Sequence, residues 1–193
     1  MKIIGTGCGP GMLTEEAARA IRGAGRIYGS RRAIELVREY IARDCTTEII
    51  RDYRNLDNLP EDSVVLSTGD PMLSGLGNLT GEVIPGISSL QVAAARLHVP
   101  LDRVSVVLAH GRDHRLAVSE TTEELLRGKI VFLVADPAFS VPGLAELLVS
   151  CYGNTKIALC EELGYAEERI VTGSCTGPPV PGSALFSLLI GDF

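Results

Sequence analysis

The stretch SVVLSTGDP at residues 63–71 decides the fold class of this chain. Its first half is a run of β-branched and aliphatic residues, which is typical of a strand buried on both faces of a parallel sheet. Its second half, Gly69-Asp70-Pro71, is a turn at the carboxyl end of that strand, where α/β proteins form their ligand sites. A plain Asp-Pro turn, whose carboxylate caps its own loop, explains the same residues and stays open as an alternative.

Strands and helices alternate on both sides of this stretch. Strands are predicted at residues 2–6, 26–28, 47–50, 82–84 and 104–109, and helices at 14–24, 32–42 and 88–97. This alternation predicts an α/β fold with a mostly parallel N-terminal sheet and helices on both of its faces.

Residues 110–122 are polar and show no hydrophobic period, so we interpret them as a link between two lobes. After the link, strands are predicted at 129–134, 156–160, 169–172 and 184–190, with a helix at 142–149. The excess of strands predicts a smaller lobe with a mixed sheet. We therefore expect an N-terminal α/β lobe at residues 1–112 and a C-terminal α/β lobe at 113–193.

Composition excludes several classes of protein. Among 193 residues, 24 acidic side chains outnumber 18 basic ones, which argues against sequence-independent binding to nucleic acid. The longest apolar run, residues 130–135, is far shorter than the ~20 residues of a membrane span. The N-terminus lacks the layout of a signal peptide, so we expect a cytoplasmic protein without membrane contact. Five cysteines show no paired spacing, which predicts neither a disulfide framework nor a metal site.

The glycine-rich stretch GTGCGPG at residues 5–11 joins the first strand to the first helix. Such a turn lets backbone approach a ligand closely, although a purely structural turn explains it equally well. A dinucleotide fingerprint fails here, because Pro10 or Met12 takes the third glycine position and no acid follows the second strand. An NAD-dependent enzyme is therefore disfavoured.

Two further loops carry candidate residues. Ser88 and Ser89 open the helix after PGI, either as its cap or as groups that face a cleft. Gly75 and Gly77 follow the Asp70 loop, where they predict an accessible backbone.

Basic residues form two clusters. Arg31 and Arg32 open a helix, where cations are unfavourable unless an anion lies nearby, and His110 and Arg112 follow a strand end. They are either solvated side chains or anchors for substrate carboxylates.

Six motifs are GTGCGPG (5–11), YGSRR (28–32), STGDP (67–71), PGISSLQVAAARL (85–97), HGR (110–112) and CEELGYAEERI (160–170). Together, and over essentially the whole chain, they resemble the tetrapyrrole (corrin/porphyrin) methylase family. The resemblance is strongest to the branch that methylates C-5 of cobalt-precorrin-7 (precorrin-6Y) in cobalamin biosynthesis.

The resemblance implies two α/β lobes with S-adenosylmethionine (SAM) in the cleft between them, and a homodimer. By the same resemblance, the SAM-binding residues are Cys8, Gly69, Asp70, Leu73, Ser88, Ser89, Leu133 or Val134, and Leu163. The implied contacts to the tetrapyrrole are Pro10, Arg31, Arg32, His110 and Arg112.

The implied chemistry is direct displacement, in which an electron-rich meso carbon attacks the sulfonium methyl group and S-adenosylhomocysteine leaves. This reaction needs positioning more than a side-chain nucleophile, so no catalytic residue is assigned. Tyr28, Asp70 and His110 are titratable groups that could take the proton lost from the carbon. Cobalt is expected within the substrate only, with no metal bound by the protein.

Two departures from the family pattern stand out. Cys8 takes a position usually held by proline, unless the first motif is shifted by two residues. Residues 75–85 are shorter than the helix and strand that the family normally has there.

The longer relatives carry a second unit that methylates C-15 and removes a carboxyl group. The chain ends at Phe193, so we expect C-5 methylation without decarboxylation and a separate C-15 methyltransferase as a pathway partner. Three alternatives stay open: methylation at another ring position, methylation of a modified histidine in an elongation factor, and a non-catalytic corrinoid-binding protein.

Overall fold

The computed structural model describes residues 1–73, 76 and 79–193. This part of the chain divides into two units, Met1–Ser89 and Leu90–Phe193, and each is built on its own sheet. The division lies well before the expected boundary at residue 112. Gly75 and Gly77 lie outside the described residues, so the predicted accessible backbone there stays a prediction.

The sheet of the first unit is parallel throughout. Its strands are β1 (Lys2–Gly5), β2 (Arg26–Gly29), β3 (Thr46–Ile49), β4 (Val64–Ser67) and β5 (Glu82–Ile84). Their order is β3-β2-β4-β1-β5, and every residue of the central strand β4 is buried. The prediction of a central buried strand that leads into the Asp70 turn is therefore confirmed.

Two helices of the first unit begin where the sequence supplies a cap. Helix α1 (Glu15–Arg22) begins after Thr14, whose Oγ1 accepts a hydrogen bond of 3.2 Å from the Ala17 N–H. Helix α2 (Arg31–Leu36) begins after Ser30. It is shorter than the predicted helix at 32–42, because the chain tightens into i→i−3 hydrogen bonding and continues as a 3-10 turn, Arg38–Tyr40.

The sheet of the second unit is mixed, as predicted, but this unit is the longer of the two and not the smaller, because residues 90–112 belong to it. Its strands are β6 (Val104–Leu108), β7 (Ile130–Val134), β8 (Lys156–Glu161), β9 (Arg169–Ser174) and β10 (Phe186–Ile190). In the order β6-β7-β10-β8-β9, strands β6, β7 and β8 run in one direction, and β9 and β10 run in the other. Because β6 pairs with β7, residues predicted for the first lobe belong to the second unit.

The interpretation of residues 110–122 as an interlobe link is wrong. Residues His114–Leu126 form helix α4, and the Asp113 side chain caps it by accepting from the Arg115 N–H. Only Ala117, Thr121 and Leu125 of this helix are buried. The buried hydroxyl of Thr121 is satisfied by the Ala117 carbonyl at 2.8 Å, so a polar residue stands in the middle of the buried stripe and hides the helical period.

The other two α-helices of the described residues are α3 (Ser89–Leu97), which begins at the last residue of the first unit, and α5 (Val141–Tyr152). Short 3-10 helices also span Tyr53–Asn58 and Leu101–Arg103. Leu144 and Leu148 of α5 share one apolar core with Leu133 and Leu188 of the sheet. No helix in the described part of the chain has the length and apolar character needed to cross a membrane.

Candidate functional site

The loops that follow β1, β4 and β5 are joined at the carboxyl edge of the first sheet. Gly7 and Gly69 exchange backbone hydrogen bonds, with 2.8 Å from the Gly69 N–H to the Gly7 carbonyl and 3.3 Å in the other direction. The Thr6 N–H donates to the Ser67 carbonyl at 2.9 Å, and the Cys8 N–H donates to the Ile87 carbonyl at 3.0 Å. We call these connected segments, residues 5–12, 67–73 and 85–89, the three-loop edge.

Glycines allow these loops to approach so closely. A Cβ atom at Gly86 would lie 2.2 Å from the Gly69 carbonyl oxygen, and one at Gly5 would lie 2.5 Å from the Gly86 nitrogen. Gly7 and Gly69 also have left-handed φ angles of +78° and +71°, which L-residues rarely adopt. Backbone packing therefore requires a glycine at position 5 of the first motif, and the backbone conformation favours one at position 7.

The Asp70 carboxylate connects two of the loops. Its Oδ1 accepts from the Met72 N–H at 2.8 Å. This is the Asp-Pro turn with a self-capping carboxylate that the sequence left open as an alternative. Its Oδ2 accepts from the Gly86 N–H at 3.0 Å, sixteen residues away. The first bond is local, whereas the second was invisible in the sequence because it depends on β4 and β5 flanking β1 in the sheet.

Six predicted SAM-binding residues belong to the three-loop edge: Cys8, Gly69, Asp70, Leu73, Ser88 and Ser89. Cys8 is 8% exposed, and its Sγ lies 3.5 Å from the Met12 Sδ. Ser88 is buried directly before α3, whereas Leu73 is half-buried. The structure thus brings these six residues to one edge, and their contacts to a ligand stay predictions.

The predicted arginine anchors of the first unit follow β2 at the same edge of the sheet. Arg31 is exposed and Arg32 is half-buried, and Pro10 is exposed in the β1 loop. Among the described residues, no carboxylate forms an ion pair with Arg31, Arg32 or Arg112. These cations are therefore available to a ligand carboxylate.

In the second unit, β6, β7 and β8 end at one edge of the sheet because they run in the same direction. The Ala109 and His110 N–H groups both donate to the Val134 carbonyl, at 2.9 and 3.0 Å, and this fixes the HGR loop against the end of β7. His110 and Arg112 are exposed. Leu163 follows β8 at that edge. Leu133 is fully buried in the core, so Val134 is the better placed of the two alternatives at the end of β7.

Sequence reasoning missed Asp136, which follows β7 and faces the HGR loop. Its Oδ2 lies 2.9 Å from the His114 Nε2, and its Oδ1 accepts from the Ala138 N–H. The His114 hydrogen bond is the largest cause that lowers the pKa of Asp136, and a backbone hydrogen bond from Gly111 acts in the same direction. Asp136 therefore holds Gly111 and His114, on both sides of Arg112. The available signal in the sequence was an acidic residue two positions after a buried strand.

We expect Asp136→Asn to lower the free energy of unfolding by about 1–2 kcal/mol at pH 7, since it removes the charge from several hydrogen bonds. The lowered pKa means that the wild-type advantage is present above the ordinary aspartate pKa and is lost as the pH falls through the folded value. Urea unfolding between pH 3 and 7 measures this. Asp102→Asn, at an exposed position, is the control. A difference that persists unchanged at the lowest pH would contradict this role.

A second missed carboxylate is Glu161, at the end of β8. It is 2% exposed and accepts from the Arg169 Nε at 2.5 Å and from the Gly182 and Ser183 N–H groups at 2.5 and 2.8 Å. Burial alone would raise its pKa, but these hydrogen bonds outweigh burial and lower it. The neighbouring Cys160 is different, because burial raises the pKa of its thiol to about 12 and keeps it protonated. Glu161 therefore holds the Gly-Pro-rich loop against β8.

Within the described residues, no cluster of three or more His, Cys, Asp or Glu side chains is arranged to hold a metal ion.

A parallel α/β unit with a glycine-lined edge, followed by a unit with a mixed sheet, defines a class of two-sheet α/β proteins. Residues 2–177 match the family described as Tetrapyrrole (Corrin/Porphyrin) Methylases. The chain belongs to this family, and the resemblance drawn from its motifs is confirmed.

Two curated relatives are about equally similar to the chain. One is "Precorrin-6Y C(5,15)-methyltransferase [decarboxylating]" of Sinorhizobium sp, 30% identical over 186 residues, which cover 89% of this chain and 44% of that protein. The other is "Probable cobalt-precorrin-7 C(5)-methyltransferase" of Methanocaldococcus jannaschii, 31% identical over 189 residues, which cover 85% of each chain. The chain thus spans less than half of the first relative and most of the second.

Solved structures confirm the fold. The cobalamin biosynthesis precorrin-6Y methylase (cbiE) from Archaeoglobus fulgidus is 30% identical, with a TM-score of 0.75 over all of this chain and 97% of that chain. The methyltransferase CobJ is 16% identical, with a TM-score of 0.80 over 99% of this chain and 93% of its own. Diphthine synthase is 14% identical, with a TM-score of 0.70 over 99% of this chain and 90% of its own. The last two likenesses show the fold alone.

Proposed function

We propose that this protein is a SAM-dependent methyltransferase of corrin-ring biosynthesis that methylates C-5 of cobalt-precorrin-7 or precorrin-6Y, without decarboxylation. The observation that carries this proposal is the coverage of the Methanocaldococcus relative, which is named for that activity and aligns over 85% of both chains. The three-loop edge supplies the independent support for SAM.

The charge and hydrogen bonding of the three-loop edge favour a cationic ligand over a phosphate. A phosphate site needs free backbone N–H groups, but those of Thr6, Gly7, Cys8, Gly69 and Gly86 are all used within the protein. The charged group fixed in these loops is the carboxylate of Asp70, which would repel a phosphate. The same carboxylate attracts the positively charged sulfonium and ammonium groups of SAM.

The residues of this edge would act by holding their ligand in place. When bound, SAM supplies a methyl group that is already activated by its positive sulfur, so alignment of carbon, methyl and sulfur is the main requirement. Asp70 fixes the separation of two loops, and the left-handed Gly69 turns the backbone at the end of β4. We assign Gly69, Leu73, Ser88 and Ser89 to the walls of the SAM site, with Cys8 at its border.

The tetrapyrrole substrate carries several carboxylates, and arginines that form no ion pair within the described part of the chain suit them. We assign Arg31, Arg32 and Arg112 to these carboxylates, with His110 and Pro10 beside them. Each guanidinium presents a planar fork that matches a carboxylate through two hydrogen bonds. Cobalt enters this scheme only as part of the substrate.

We expect Arg31→Ala to raise the KM for the tetrapyrrole about fivefold, the effect of one exposed ion pair, while kcat and the KM for SAM change little. Steady-state kinetics with each substrate varied in turn gives the three constants. Arg26→Ala is the matched control, because Arg26 is exposed at the opposite end of β2 and also has no ion pair among the described residues. Equal effects of the two substitutions would remove Arg31 from the substrate site.

The decisive test of the function is incubation with methyl-labelled SAM and candidate precorrins, with and without cobalt, followed by location of the new methyl group. Methylation at C-5 with the acetate side chain retained supports the proposal. Methylation at another ring carbon supports the alternative of a different ring position. Corrinoid binding without any methyl transfer supports a non-catalytic binding protein.

Three parts of the proposal concern the cellular setting. We propose that the protein works as a homodimer in the cytoplasm and that a separate C-15 methyltransferase decarboxylates the same corrinoid. The name of the Methanocaldococcus relative, which gives a C(5) activity alone, supports the last part. Purified protein that released carbon dioxide from its substrate by itself would contradict it.

A further inference from the structure

The turn that carries Leu163 has an unusual backbone. Leu163 is 5% exposed and lies between Glu162, with a φ of +48°, and Gly164, with a φ of +82°. Glycine adopts this left-handed region freely, but a glutamate there is strained and needs support from the surrounding structure. Leu163 therefore lies between two left-handed residues, of which Glu162 is the strained one.

Part of that support is backbone hydrogen bonding around Glu162. Its N–H donates to the Leu185 carbonyl at 3.1 Å, and its own carbonyl accepts from the Tyr165 N–H at 2.9 Å. The Ser183 hydroxyl also donates to the Glu162 carboxylate. These contacts fix the first residue of the turn. The Gly164 N–H, at the end of the turn, is bound by a different group.

Glu168 holds the exit. Its Oε2 accepts from the Gly164 N–H at 2.8 Å, and its Oε1 accepts from the Arg96 Nε at 2.6 Å. The Glu168 side chain is 20% exposed, so both bonds are partly protected from water. One carboxylate thus joins the Leu163 turn to helix α3 through Arg96.

The hydrogen bonds also keep Glu168 charged. Burial alone would raise its pKa, but the Arg96 and Gly164 hydrogen bonds outweigh burial and lower it. Glu168 is therefore ionised at neutral pH, and hydrogen bonds to a charged acceptor are stronger than neutral ones.

We propose that Glu168 is a positioning residue that fixes the Leu163 turn for SAM, and that it acts together with Arg96. The inference rests on the proposed function and on the family resemblance, which implies that Leu163 contacts SAM. It adds a pair of residues that touch neither substrate but set the affinity for one of them.

Calorimetric titration with S-adenosylhomocysteine tests this proposal on the full chain. We expect Glu168→Ala to raise the dissociation constant about tenfold, because the charged acceptor of two hydrogen bonds is lost. The KM for SAM should rise in parallel, while kcat at saturating SAM and the KM for the tetrapyrrole stay within about twofold. A general loss of structure would change kcat and the KM for the tetrapyrrole as well as the affinity for SAM.

Two further variants test the mechanism if Glu168→Ala folds poorly. Glu168→Gln keeps the shape and one acceptor oxygen and should give a smaller rise in the dissociation constant. Arg96→Gln should give a similar rise, and the double variant Arg96→Gln/Glu168→Gln should be no weaker than the worse single variant, because the two act as one unit. Glu35→Gln, which removes a carboxylate from an exposed ion pair with Arg38, is the matched control and should change nothing.

The outcomes separate this inference from the proposed function. No heat from the wild-type protein would contradict both. Tight binding by the wild type and equally tight binding by well-folded Glu168→Ala and Glu168→Gln would contradict the inference alone. Additive effects of Arg96→Gln and Glu168→Gln would contradict their joint action.

Discussion

Asp70→Ala is expected to raise the dissociation constant for SAM by a factor of about 10 to 100, because two hydrogen bonds to a charged acceptor are lost at once. The Met72 N–H loses its cap, and the Gly86 N–H loses the partner that ties the β5 loop to the β4 loop. The carboxylate that would attract the sulfonium is removed as well. Calorimetry with SAM and S-adenosylhomocysteine measures the effect.

Two control variants show whether the loss of affinity is specific to the Asp70 carboxylate. Asp70→Asn keeps an acceptor oxygen without the charge and should fall between wild type and Asp70→Ala. Asp62→Ala, an exposed turn residue before the same strand, should bind like wild type. If Asp70→Ala folded and bound SAM with unchanged affinity, Asp70 would have no place in the site.

Gly86→Ala should lower the free energy of unfolding by about 3 kcal/mol, at the upper end of the usual cost of overpacking. The added Cβ would lie 2.2 Å from the Gly69 carbonyl oxygen and 2.8 Å from the Gly5 carbonyl carbon, and both neighbours are backbone atoms that no rotamer change can move. The urea midpoint should fall by about 1 M or more.

Gly25→Ala is the control for this substitution. A Cβ at Gly25 meets no atom within 4 Å, so its midpoint should stay near that of wild type. Equal midpoints for Gly86→Ala and Gly25→Ala would mean that the β4 and β5 loops are not packed as closely as described.

The first sheet was predictable because the local sequence patterns of its strands and helix ends agree with their positions in the folded unit. Residues 64–66 are apolar at every position, which matches a strand covered on both faces, and Thr14 supplies a helix cap where α1 begins. Helix α4 was missed because its buried stripe contains Thr121, whose hydroxyl is satisfied inside its own helix. The unit boundary was misplaced for a different reason, since strand pairing between β6 and β7 is a long-range property that no local pattern reports.

The candidate site was predictable as a set of loops but not as a set of contacts. Glycines and an Asp-Pro turn mark where backbone approaches backbone, so Gly69 and Asp70 were found from the sequence. The bond from Gly86 to Asp70, and those made by Asp136 and Glu168, join residues whose neighbourhood is created by sheet order and turn conformation. Carboxylates that serve backbone N–H groups look like ordinary surface acids in a sequence.

The reciprocal hydrogen bonds between Gly7 and Gly69 have a consequence for motion. Because neither loop can open without breaking both bonds, and because Cys8 and Gly86 extend the connection to the third loop, the edge should fluctuate as one cooperative unit. A molecule that immobilised any one of these segments would slow amide exchange in all three. States in which only one or two of the three loops are ordered would then be rare, and binding and dissociation of a ligand would each proceed in a single step.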